Sequence, residues 1–178
     1  MKLKLLLYSL SILLSLSIVG GCVYYWLGGT DPVHVYRLEH KDKVIVGSFF
    51  QGRQTSKTIH EHFTTSRKLL LDSAVIGTLA QIYYQNDTLA GNELAVFTGI
   101  AITGNVAEVP MGFKSRKIEA KEKYAVFLSM HPIVRPSPKK VEQMIRKVAA
   151  EDNVTLENFI VEIHYYDNTL SVEAYIKE

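Results

Sequence analysis

The sequence predicts an α+β fold in which duplicated β-α-β-β units form one antiparallel sheet with two helices, preceded by one N-terminal transmembrane helix. Three observations predict it. The phrase AQIYYQNDTLAG (80–91) returns as VEIHYYDNTLSV (161–172), so one strand-turn-strand passage is written twice. Each copy follows a helical apolar stripe at a matched distance, 23 residues from Ile59 to Ile82 and 22 from Val141 to Ile163. Residues 5–30 carry no charged side chain, whereas the rest of the chain is densely and evenly charged.

The N-terminal run exceeds the ~20 residues that an α-helix needs to cross a bilayer core. A transmembrane helix is expected at about 5–27, ended by Gly28, Gly29 and the Asp31-Pro32 pair. Lys2 and Lys4 at its start predict a cytoplasmic N-terminus and a domain on the extracytoplasmic side, periplasmic in a Gram-negative bacterium. Tyr24, Tyr25 and Trp26 stand where amphipathic rings favour a headgroup region. A rival reading takes VGGC (19–22) as the end of a lipoprotein signal, with Cys22 as the lipidated residue. Both divide the chain into a membrane anchor, 1–29, and a folded domain, 30–178, with halves at about 33–105 and 114–178.

The second half is the clearer of the two. KYAVFLSM (123–130) reads as a strand, and Ser137 and Pro138 as the cap and first residue of a helix. Val141, Met144, Ile145, Val148 and Ala149 then give that helix one apolar face. NFIVEIHYY (158–166) and LSVEAYI (170–176) form a hairpin about Asp167-Asn168. The first half repeats the order. DKVIVGSFF (42–50) is a strand, the helix runs to Leu71 on a weaker stripe of Ile59, Phe63 and Leu70, and 76–85 pairs with 93–102.

Strand alternation puts Ala80, Ile82, Tyr84, Val161, Ile163 and Tyr165 on one face. Gln81, Tyr83 and Gln85, with Glu162, His164 and Tyr166, fall on the other, which is expected to be the face away from the helices. A carboxylate among rings suits a small cationic or aromatic ligand, because burial of a charge demands a counter-charge. The predicted binding residues are therefore Glu162, His164, Tyr166, Tyr83 and Gln81. Two other readings stand beside this one: a sheet face that docks a protein partner, and a hydrolase in which Glu162 is the general base.

VIVGSFFQG (44–52), IYYQN (82–86) and VEIHYYD (161–167), in this order, resemble the GyrI-like, or effector-binding, domain family over nearly all of 33–178. The resemblance implies a cleft between two halves that binds small, often cationic and aromatic molecules. It also maps the family's acidic pocket residue to Glu162. The family's tyrosine at the next alternate position is His164 here. The family's usual DNA-binding helices are replaced by the apolar segment, so no role in transcription is implied.

Charge excludes much else. Without Lys2 and Lys4 the 20 basic residues become 18, equal to the 18 acidic ones, so no basic excess points to nucleic acid. The KSRK run at 114–117 reads as a solvated loop. No metal or other cofactor is expected: His60 and His62 are two apart on a helix and do not share a face, and His34, His40 and His131 have no ligand-spaced partner. The NDT (86–88) and NVT (153–155) triplets match glycosylation acceptors and carry no further weight.

Overall fold

The computed structural model describes residues 2–39, 41–72, 76–85, 89, 91–102, 109–119 and 122–177, with side chains described at 8 and from 10 onward. His40, the triplet at 86–88 and the end of the first half at 103–105 lie outside the described residues. The chain divides into two units, Met1–Pro32 with Ser129–Pro136, and Val33–Leu128 with Ser137–Glu178.

In the first unit, helix α1 (Lys2–Trp26) has no polar face among its described side chains, and two of its serines bond back to the helix. Ser15 and Ser17 donate to the carbonyls of Ser11 and Leu13, each at 2.9 Å. Gly28, at φ 82°, takes the left-handed turn that stops the helix. His131 N–H then donates to Leu27 O at 3.0 Å, tying the 129–136 segment to the helix end. Among the described residues no helix is long and apolar enough to cross a membrane. That corrects the expectation of a single-pass protein with a cytoplasmic N-terminus and an extracytoplasmic domain.

The second unit holds one eight-stranded antiparallel sheet and two helices. In chain order these are β1 (Tyr36–Glu39), β2 (Lys43–Arg53), α2 (Lys57–Leu71), β3 (Gly77–Tyr84), β4 (Glu93–Ile102), β5 (Lys114–Ile118), β6 (Glu122–Leu128), α3 (Pro138–Glu151), β7 (Leu156–His164) and β8 (Leu170–Ile176). Ser56 and Ser137 cap the helices by accepting from Thr58 N and Lys140 N. The sheet order β1-β6-β8-β7-β3-β4-β2-β5 is symmetric about the β7·β3 pair.

The duplicated order is present, with one strand more per half than expected. β1 opens the first half yet pairs with β6 of the second, and β5 opens the second yet pairs with β2 of the first. Each half thus lends its leading strand to the other. Both strands are short, largely exposed and charged, as sheet edges tend to be; β5 shows no apolar alternation, and in β1 the alternation of Tyr36 and Leu38 with Arg37 and Glu39 spans only four residues. KSRK is accordingly edge strand, not loop.

The sheet curls strongly. Glu173 on β8 accepts from Lys123 Nζ at 2.7 Å, Tyr175 Oη at 2.7 Å and Lys43 Nζ at 3.0 Å. Lys43 lies on β2, four strand spacings from β8, which would be ~19 Å in a flat sheet. Bending at the β2·β4 pair is eased by Gly47 opposite Gly99. A Cβ on Gly47 would sit 2.1 Å from Thr98 O, and one on Gly99 2.2 Å from Val46 O. The inner face of this curl holds Ile45, Ala80, Ile82, Phe97, Val161, Ile163 and Tyr175 as a core. The helices cover the outer face, where α3 buries Val141, Ile145 and Ala149.

Burial pushes the Glu173 carboxyl up, but the ammonium groups of Lys43 and Lys123 outweigh it and hold the group below the usual range. Its contribution to stability is therefore present above the ordinary carboxylate range and is lost as pH falls through its folded value. Replacing Glu173 by Gln leaves two lysines without their counter-charge. Urea unfolding at pH 7 is expected to show a loss of about 3–5 kcal/mol.

Candidate functional site

β3 and β7 supply the site. Each strand alternates a polar series with an apolar one, and the pair fixes both series in register: Gln81 opposite Glu162, Ala80 opposite Ile163, Ile82 opposite Val161. The repeated phrases align Gln81 with Glu162 as equivalents, so the pseudo-twofold axis passes between these two side chains. This explains the substitution between the copies. Two carboxylates at directly opposed, buried positions would force one to stay protonated. With Gln81 neutral, its amide donates to Thr98 Oγ1 at 3.3 Å, and a single acid remains at the axis.

The face assignment needs correction. Alternation separates the two series as expected, but Glu162 lies on the helix side. Phe63 of α2 meets the His164 ring edge-on at 5.7 Å, and His62 meets Phe50 at 6.4 Å. Pro138, Lys139 and Glu142 of α3 share a cavity with Glu162. Both faces of the central strands are buried and apolar enough to accept helices, so periodicity could not choose between them. The helices stand on either side of the β3·β7 seam, α2 toward β4 and α3 toward β8, and leave a cleft above it.

That cleft contains a cavity of about 430 Å³, within the usual range for small-molecule sites. Tyr83, Leu94, Ile160 and Glu162 form its sheet wall, and Pro138 and Glu142 its α3 wall. Glu162 is only 6 % exposed. Burial pushes its carboxyl up to about 7. Among the described residues its ionic neighbour is His164, with Nε2 3.9 Å from Glu162 Oε2. Burial, and then the charge of Glu162, raise the Tyr83 hydroxyl above its ordinary value. At the rim Glu142 is already engaged, accepting from Arg146 Nε at 2.8 Å and from the Gln85 amide.

Of the residues expected from sequence, Tyr83 and Glu162 line this cavity, while Gln81 and His164 flank Glu162 without lining it. Tyr166 stands apart: it follows the end of β7, is 74 % exposed, and its hydroxyl reaches Gly77 O at 3.5 Å. Ile160, Leu94, Glu142 and Phe63 were missed as site residues. Ile160 was recoverable from its place two positions before Glu162, and Phe63 from the α2 stripe. His60 is exposed whereas His62 turns to Phe50, as their spacing implies.

No protein-family model matches the chain, and no curated protein matches it. Solved structures do. SAV2435 bound to tetraphenylphosphonium aligns with a TM-score of 0.55 at 9 % identity, over 81 % of this chain and 94 % of that one. The EcmrR C-terminal domain aligns with a TM-score of 0.58 at 10 % identity, over 82 % and 98 %. A hydrolase from Listeria innocua aligns with a TM-score of 0.56 at 9 % identity, over 81 % and 92 %. At these identities the likeness shows the fold, and it supports the GyrI-like fold that the sequence resembles.

The raised Glu162 has a thermodynamic signature. Between its ordinary value of 4.5 and about 7 the folded state holds a proton that the unfolded state has released. Stability therefore falls as pH rises through that window. Glu162→Gln is expected to remove this slope and to stabilise the ligand-free protein by about 2–3 kcal/mol at pH 8, measured by urea unfolding from pH 4 to 8.

Proposed function

We propose that this chain is a small-molecule binding module whose cleft over the β3·β7 seam takes hydrophobic cations, with Glu162 as the counter-charge. The observation that carries this reading is a buried carboxylate on the floor of a cavity walled by Tyr83, Leu94, Ile160 and Pro138, paired among the described residues with no lysine or arginine. An ionised carboxylate is costly to bury alone. A cation entering the cleft supplies the missing charge, and the Tyr83 ring adds ~0.5–2 kcal/mol of cation–π attraction where it meets the ligand face-on. Lys139 at the rim is exposed and leaves the floor charge uncompensated. The likeness in fold to SAV2435, which was solved with tetraphenylphosphonium, supports the same reading.

A second reading is favoured by one observation. A carboxyl displaced to about 7 is suited to general-base work on water near neutral pH, and a structural neighbour is described as a hydrolase. In that reading Glu162→Gln abolishes turnover while retaining substrate.

Titration of the full chain with tetraphenylphosphonium separates the two. Cation binding requires the ionised acid, so affinity is expected to rise close to tenfold between pH 6 and pH 8. Glu162→Gln is expected to weaken binding about tenfold or more and to remove the pH dependence. Equal, pH-independent binding by both proteins rules out the cation site.

A further inference from the structure

The inner face of the sheet carries a second hollow, and its chemistry is the reverse of the first. Tyr83 and Tyr84 are consecutive on β3 and therefore point to opposite faces. Tyr83 lines the Glu162 cleft, whereas Tyr84 lines a cavity of about 490 Å³ beside β5. Phe49 and Phe97 form its other aromatic walls, and Phe49 meets Tyr84 edge-on at 6.0 Å. The β2·β5 register places Lys114 opposite Gly47 and Arg116 opposite Ile45, which turns both cations toward this face. The Arg116 guanidinium lies 5.8 Å from the centre of the Tyr84 ring. No lining residue is acidic. Among the described residues neither Lys114 nor Arg116 has a carboxylate within salt-bridge distance.

Edge strands carry lysine and arginine to discourage strand pairing, and that alone accounts for two cations on β5. It does not account for three rings around one hollow, nor for a phenylalanine left 49 % exposed there. We propose that this hollow is a binding site for a flat aromatic anion of the carboxylate or sulfonate class. The ring system rests against Phe49, Tyr84 and Phe97, and the acid group meets Arg116, whose planar fork matches two oxygens, with Lys114 as a second point charge. The arrangement is independent of Glu162, which lies on the other side of the sheet.

Calorimetric titration of the full chain with 2-naphthalenesulfonate tests this. Saturable binding is expected, weakened about tenfold or more in the Lys114→Gln/Arg116→Gln double variant and unchanged in Glu162→Gln. Tetraphenylphosphonium should show the opposite pattern, unaffected by the double variant. Both substitutions are on an exposed edge strand, so folding is not at stake. The proposal is overturned if 2-naphthalenesulfonate does not saturate, if the double variant binds it as tightly as the parent, or if Glu162→Gln removes its binding. Either of the first two leaves the cation reading of the outer cleft standing, because the two sites share no lining residue.

Discussion

One strand pair, β3·β7, joins the two halves at their symmetry axis, and the placement of everything else follows from it. Its register sets Gln81 against Glu162 and gives both halves a common apolar series through Ala80, Ile82, Val161 and Ile163. Because each helix belongs to its own half, the axis is the line that neither helix crosses. The cleft is therefore a product of the duplication, and so is the location of the acid within it. A shift of one residue in this pairing would exchange the two faces of β7 and bring Val161 or Ile163 to the cleft floor.

The curl of the sheet is the second constraint, and it is held by long-range contacts. Exchange of β1 and β5 between halves makes each edge depend on the other half. The Lys43–Glu173–Lys123 cluster then bridges strands that are far apart in the sheet order. Such closure needs a place to bend, and the Gly47–Gly99 pair supplies one because neither position has space for a side chain. The two helices are not equally held. α3 fully buries three apolar residues, whereas Ser66 is the buried residue of α2, so the α3 side is the firmer wall of the cleft.

Much of this was legible in the sequence because local chemistry decides it. Ser137-Pro138 marks the start of α3, and the strands expected at 93–102 and 170–176 match β4 and β8 end for end. What was illegible depends on partners distant in the chain. YRLE and KSRKI become strands because β6 and β2 offer them an open edge: KSRKI carries no period-two pattern, and the alternation in YRLE lasts only four residues. The face that receives the helices was equally hidden, since Leu79, Ile160 and Val172 are as apolar as Ala80, Val161 and Ile163. Tyr166 shows the limit of alternation: it continues the series of Glu162 and His164 on paper, but the strand has ended before it.

Two glutamates in neighbouring strands, Glu162 and Glu173, make the argument for function sharper than either does alone. Both are almost completely removed from water, and the fold treats them in opposite ways. Glu173 receives two ammonium groups and a tyrosine hydroxyl, and stays ionised below the usual range. Glu162 receives a histidine at 3.9 Å, and burial drives its carboxyl to about 7. A chain able to neutralise one buried acid so thoroughly had the means to neutralise the other, or to repeat the glutamine already used at its symmetry mate. On the proposed reading, an acid that costs stability is accounted for by a ligand that supplies its counter-charge. The cavity above Glu162, and the absence of a strong internal counter-charge among the described residues, are what support a cation as the ligand in that proposal.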